Sequence, residues 1–102
     1  MNSFEEEVRQ RLRAQAGNQA LRETSDAFMR ESIQAQYSYN FSWMGRPIIQ
    51  YPQDMVAMQE ILWQLQPDLV IETGIAHGGS LVFYASILEL IGKGRVLGRS
   101  EE

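Results

Sequence analysis

The chain opens with a helical pattern of apolar positions. Phe4, Val8 and Leu12 recur at every fourth position, which predicts a first helix with one narrow apolar stripe. A Gly-Asn pair then interrupts the pattern, and a few scattered apolar side chains predict a second, weaker helix over residues 19–36. Because neither helix is apolar enough to form a core alone, we interpret residues 1–36 as an N-terminal helical arm that packs on another body.

The next segment, residues 37–52, alternates large aromatic side chains with small polar ones. The aromatic residues occupy every second position: Tyr37, Tyr39, Phe41 and Trp43. A period of two predicts an extended segment with one buried face, followed by a turn. Such a ladder can also stack on nucleic-acid bases, but stacking platforms have basic neighbours and here the nearest cation is Arg46. We therefore interpret the segment as packing, or as a lid over a small-molecule site.

The last segment, residues 53–102, reads as helix, strand, glycine-rich turn, helix and strand. Its first helix has apolar side chains on one face at helical spacing: Met55, Met58, Ile61, Leu62 and Leu65. Pro67 ends this helix, and the apolar run 69–71 favours a buried parallel strand. A helix over 81–91 and a short strand over 95–98 complete one βαβ unit. The pattern predicts an α/β fold.

The turn between strand and helix reads Glu-x-Gly-x-x-x-Gly-Gly-Ser, from Glu72 to Ser80. Gly74 permits a chain reversal with positive φ, and Gly78 and Gly79 let a ligand or a neighbouring strand approach the first helical turn. The spacing is neither G-x-G-x-x-G nor a P-loop. A carboxylate at the strand tip would repel a pyrophosphate, but it can accept hydrogen bonds from an ammonium group, a hydroxyl or a backbone N–H.

The turn therefore fits a zwitterionic ligand, such as the amino-acid part of S-adenosylmethionine, better than a dinucleotide. The alternative is that the glycines serve only to turn the chain from strand to helix, as they do in many α/β proteins.

Composition narrows the classes of protein without choosing among them. The 102 residues allow one small domain, and a net charge of −4 gives no reason to expect a nucleic-acid partner. Cysteine is absent, which excludes disulfides and cysteine-based metal sites. The sequence has no apolar run of about 18 residues and no basic, apolar leader, so we expect no membrane association and a cytoplasmic location.

Two motifs together resemble the cephalosporin hydroxylase family. They are Tyr-Asn-Phe-Ser-Trp-x-Gly-Arg-Pro-Ile-Ile-Gln at 39–50 and Glu-Thr-Gly-x-x-x-Gly-Gly-Ser at 72–80, and the resemblance covers about residues 37–98. It implies a Rossmann-like, S-adenosylmethionine-dependent methyltransferase fold, in a family that includes rhamnosyl O-methyltransferases. It also implies that the second motif binds the cofactor, through Glu72, Gly74, Gly78, Gly79 and Ser80.

Within that motif we expect Glu72 to accept from the methionine ammonium group, directly or through water. The glycines would line the site with backbone, and Ser80 would be a donor at the helix start. The single histidine, His77, would face solvent, touch the cofactor's carboxylate or act as a base, and no catalytic residue is assigned.

The resemblance also implies metal-assisted methyl transfer, with a divalent ion such as Mg²⁺, to a hydroxyl of a sugar or an antibiotic-like small molecule. The matching metal ligands would lie beyond the end of this chain. The carboxylates that are present, Asp54, Asp68 and Glu72, are not spaced like a metal site.

The predicted sheet is incomplete. Nucleotide-type sites in such sheets use a carboxylate at the tip of the second strand, about 20 residues past the glycines, and here Arg99 follows Gly98 instead. We therefore expect a truncated methyltransferase with little activity alone, which associates as a homo-oligomer or with another partner through the unfinished sheet. The alternative is a non-catalytic interaction module that associates through its exposed strand and apolar helix faces.

Overall fold

The structure, a computed structural model, describes residues 3–100, and the chain divides into two compact units, residues 1–35 and 36–102. The first unit contains helices α1 (Ser3–Ala16) and α2 (Gln19–Gln34), which contact each other. Both predicted helices of the N-terminal segment are therefore confirmed.

Local signals explain where these two helices begin and end. Glu5 and Glu6 lie in the first turn of α1 and Arg13 in its last turn, which suits the direction of the helix dipole. Asn18 is the N-cap of α2, and its side-chain oxygen accepts a hydrogen bond from the Leu21 N–H at 3.0 Å.

After a short helical turn, the second unit contains an antiparallel hairpin, whose turn the sequence pattern predicted but whose strand pairing it did not. Strand β1 (Phe41–Trp43) pairs with β2 (Arg46–Ile48), and the two connecting residues, Met44 and Gly45, have φ of 51° and 82°. Two successive residues with positive φ form the tight turn that suits a hairpin. The prediction of an extended chain is wrong for Tyr37–Tyr39, which form a 3₁₀-helical turn.

The remaining elements follow in the predicted order. Helix α3 (Pro52–Leu65) begins with its proline at the first turn, where no intrahelical N–H is needed, and it ends at Gln66 in a left-handed conformation. Strand β3 (Leu69–Thr73) is joined through α4 (Gly79–Ile91) to β4 (Arg95–Arg99). Gly92, with a φ of 94°, is the left-handed C-cap of α4.

Strands β3 and β4 are parallel, so the predicted βαβ unit is confirmed. Their register places Val70 opposite Val96 and Glu72 opposite Gly98. Within the described residues the fold is mixed α/β, with four α-helices and two sheets of two strands each. None of these helices has both the length and the apolar character to span a membrane.

The core of the second unit lies between the hairpin, α3 and α4. Its buried cluster consists of Ile48, Leu62, Phe83 and Tyr84. Half-buried side chains pack around it: Phe41, Trp43, Met55, Met58, Val70, Ile87, Ile91 and Val96. The Trp43 ring meets the Phe83 ring edge to face at 4.9 Å between centroids, and its Nε1–H donates to Ser86 Oγ at 2.9 Å. These contacts fix the hairpin to α4.

The two faces of the β3–β4 sheet have different surroundings. Val70 and Val96 belong to the core, whereas Leu69, Ile71 and Leu97 on the other face are 44%, 64% and 58% exposed. The strand is therefore half-buried: one face packs on the core, and the other is exposed among the described residues, as expected of an unfinished sheet.

One close contact fixes the position of α4 against the hairpin. A Cβ on Gly79 would clash with the Pro47 carbonyl oxygen and would lie only 2.7 Å from the Pro47 carbonyl carbon and 2.9 Å from Ile48 Cβ. The first turn of α4 can therefore pack here only if this residue has no side chain.

We predict that Gly79→Ala lowers the free energy of unfolding by about 1–3 kcal/mol, because backbone atoms must move to admit the methyl group. Urea unfolding followed by circular dichroism measures this change. Gly17→Ala is the matched control, since its new Cβ would meet nothing closer than 3.9 Å. Equal stabilities for the two variants would contradict the proposed packing role of Gly79.

Candidate functional site

A cavity of about 300 Å³ lies at the carboxyl end of β3. Residues 47–50, from β2 and the chain that follows it, form one wall. The other wall comes from the tip of β3, the glycine turn and the start of α4: Glu72, Gly74, Ile75, Ala76, His77, Gly79 and Ser80. The cavity therefore brings together four of the five predicted cofactor-binding residues.

The glycine turn reaches this shape through left-handed backbone. Gly74, Ala76 and Gly78 have φ of 72°, 49° and 81°. The Gly74 N–H donates to the Arg99 carbonyl at 3.0 Å, and the Gly78 N–H donates to the Ile75 carbonyl at 2.7 Å. The positive φ expected at Gly74 is present, and the turn is fixed at both ends by backbone hydrogen bonds.

The two adjacent glycines, Gly78 and Gly79, are favoured for different reasons. At Gly79 the space is taken by the Pro47 backbone, so a neighbouring strand makes the close approach. Gly78 precedes α4 in left-handed conformation, and a Cβ there would lie 3.5 Å from Arg46 Nη2. The backbone conformation, rather than a lack of space, makes glycine favourable at this position.

The carboxylate of Glu72 is half-buried and is held by a side chain from α4. Ser80 Oγ donates to Glu72 Oε1 at 2.6 Å. This is a short, charge-assisted hydrogen bond between the tip of β3 and the first turn of α4. The hydroxyl that the sequence suggested as a donor at the helix start therefore donates to Glu72 in this structure.

Tyr84 is a residue of this region that sequence reasoning missed. It lies one helical turn after Ser80, is 8% exposed and belongs to the core. Burial, and then the negative charge of Glu72, raise the pKa of the Tyr84 phenol above its usual value of 10.0. A hydroxyl four residues after Ser80 on the same helix face was the available signal.

The hairpin wall corresponds to the segment 37–52 that was interpreted as packing or as a lid over a small-molecule site, and residues 47–50 of it line the cavity. The Gln50 N–H donates to the Ser38 carbonyl at 3.1 Å, which fixes the chain where it leaves β2. His77 is exposed and lines the same cavity. The two motifs at 39–50 and 72–80, treated separately by residue pattern, meet at this cavity.

The described part of the chain, residues 3–100, contains no group of three or more His, Cys, Asp or Glu side chains placed to hold a metal ion. Asp68, one of the carboxylates considered from sequence, instead pairs with Lys93 at 3.2 Å. These residues do not fit a metal centre, and we derive no catalytic step through a metal.

Residues 35–101 match the protein family described as Rhamnosyl O-methyltransferase/CmcI. The chain belongs to this family, which confirms the resemblance carried by the two motifs. The match covers the whole of the hairpin, α3 and the βαβ unit, and therefore both walls of the cavity.

Several mycobacterial proteins named rhamnosyl O-methyltransferase are similar to this chain. Those of Mycobacterium bovis and Mycobacterium tuberculosis are 40% identical over 88 residues, which cover 81% of this chain and 36% of the relative. That of Mycobacterium leprae is 44% identical over 52 residues, or 51% of this chain and 23% of the relative.

The chain thus spans between 23% and 36% of the length of the curated relatives it matches. No solved structure matches it. The names of the relatives do not favour the alternative of a non-catalytic interaction module.

We predict that Tyr84 makes the stability of the fold fall at alkaline pH. Below its unperturbed pKa of 10.0 the phenol is protonated in both states, so this stability is fully present. As the pH rises the unfolded state ionises first, and stability is lost as the pH passes through the raised pKa of the folded state. Tyr84→Phe should remove this part of the pH dependence.

The measurement is the free energy of unfolding between about pH 8 and about pH 11 for the wild type and Tyr84→Phe. Tyr39→Phe, which removes the hydroxyl of a side chain that is 57% exposed, is the matched control. If the free energy of unfolding depended on pH in the same way for the wild type and Tyr84→Phe, the prediction would be contradicted. The environment of Tyr84 would then not favour the neutral phenol.

Proposed function

We propose that this chain contributes part of the cofactor site of an S-adenosylmethionine-dependent O-methyltransferase with a Rossmann-like fold. The observation that carries the proposal is the cavity at the tip of β3, where Glu72 lies beside the first turn of α4 and opposite residues 47–50. Because the matched region is about a third of its relatives, we infer that it acts as part of a larger catalytic unit.

The charges around the cavity suit the amino-acid end of the cofactor. Glu72 offers a carboxylate to an ammonium group, and the first N–H groups of α4, which have no intrahelical partner, offer donors to a carboxylate. A pyrophosphate would instead meet the negative charge of Glu72. The cavity volume of about 300 Å³ is at the small end for ligand pockets, which suits one end of a larger ligand.

S-adenosylmethionine supplies a methyl group that moves from its sulfonium to an acceptor oxygen, while the oxygen loses its proton and the sulfur becomes a neutral thioether. The names of the relatives support a sugar hydroxyl, such as one on a rhamnosyl group, as the acceptor. The residues of this chain would bind and orient the donor: Glu72 at its ammonium group, with Ser80 donating to Glu72, and the backbone of Gly74 and Gly79 along the cavity.

We predict that the purified chain binds S-adenosylmethionine saturably and that Glu72→Gln weakens the binding at least about tenfold, because the ammonium group loses a charged acceptor. Isothermal titration calorimetry measures both affinities. Glutamine is chosen because it retains the size of Glu72, whereas Gly78→Val would put a β-branched residue at a φ of 81°.

Glu60→Gln is the matched control for this titration. Glu60 lies exposed on α3, and its replacement removes the same charge without touching the cavity, so it should leave the affinity unchanged. A folded wild-type chain without saturable binding would contradict the proposed function, and so would equal affinities for Glu72→Gln and the wild type.

A further inference from the structure

We propose that Ser80 acts on the ligand through Glu72, as a positioning residue that fixes the carboxylate to receive an ammonium group. This inference rests on the proposed function. It assigns ligand contact to Glu72 and the positioning of Glu72 to Ser80. Glu72 Oε1 accepts the Ser80 hydroxyl. In the proposal, the second carboxylate oxygen, Oε2, accepts from the ligand.

The hydrogen-bonding capacity of serine supports this role. A hydroxyl has one proton, and the Ser80 proton is used in the 2.6 Å bond to Glu72. Ser80 Oγ then has only acceptor lone pairs to offer to a ligand in the cavity. A ligand carboxylate could receive this proton only if the bond between Ser80 and Glu72 broke. An ammonium group can donate to Glu72 while that bond stays intact.

The two residues come from elements with independent support. Ser80 lies in the first turn of α4, which is fixed by the packing of Gly79 against Pro47, and Glu72 ends a strand that is paired with β4. A glutamate side chain has several rotatable bonds, so a hydrogen bond from a fixed helix removes much of its freedom before the ligand arrives. Ser80 therefore preorganises the carboxylate.

Tyr84 lies on the same face of α4 as Ser80, near the Glu72 carboxylate. Its phenol is one turn beyond Ser80, and the charge on Glu72 contributes to the raised pKa of this tyrosine. The carboxylate thus lies near two hydroxyl-bearing residues of the same helix face, of which Ser80 donates to it. A carboxylate held in this way favours a ligand that carries a primary ammonium group.

The test is a double-mutant cycle with Ser80→Ala, Glu72→Gln and the double variant, each titrated with S-adenosylmethionine in the 102-residue chain. We expect Ser80→Ala to weaken binding about tenfold in the wild type but less than about twofold in the Glu72→Gln background. Ser80→Thr retains the hydroxyl and should restore affinity to within about threefold of the wild type.

A second ligand separates positioning from direct contact with the ligand carboxylate. For a desamino analogue of S-adenosylhomocysteine, which keeps the carboxylate, Ser80→Ala should change affinity by less than about twofold. A loss of about tenfold for this analogue, or the same loss in the Glu72→Gln background, would overturn the inference and leave the proposed function standing. Absence of binding to a folded wild-type chain would overturn both.

Discussion

The second unit depends on the close packing of the first turn of α4 against the backbone of β2. Gly79 allows this packing, since a side chain there would collide with Pro47. The same approach places residues 47–50 across from the glycine turn and so creates the cavity. Trp43 and Phe83 strengthen the attachment a turn further along the helix. The glycine pair is thus required first by the fold, and the site follows from that requirement.

The site and the core share residues, which links binding to stability. Ile48 belongs to the buried cluster and also lines the cavity. Tyr84 belongs to the same cluster, and the charge of Glu72 contributes to its raised pKa. Changes at these positions alter packing as well as binding. Ser80 and Glu72 are only half-buried and contribute through one hydrogen bond, so they can be changed with less effect on the core.

One face of the β3–β4 sheet is exposed, although the sequence of β3 is typical of a strand that is covered on both faces. The run from Leu69 to Ile71 is continuously apolar, as in parallel strands that are covered on both faces. Here α4 covers one face, and the side chains of Leu69, Ile71 and Leu97 are exposed on the other. The chain belongs to the Rhamnosyl O-methyltransferase/CmcI family. It covers only 36% of the length of relatives such as the Mycobacterium bovis protein.

The sequence by itself determined the order of α3, β3, α4 and β4, because local signals encode each of them: helical spacing, a proline start and the Gly92 cap. Its two motifs also indicated the family. Only the tertiary structure decided that Phe41–Trp43 pairs with Arg46–Ile48, that Gly79 meets Pro47 and that Ser80 holds Glu72. These contacts join residues from separate elements, and their geometry depends on packing that no local periodicity specifies.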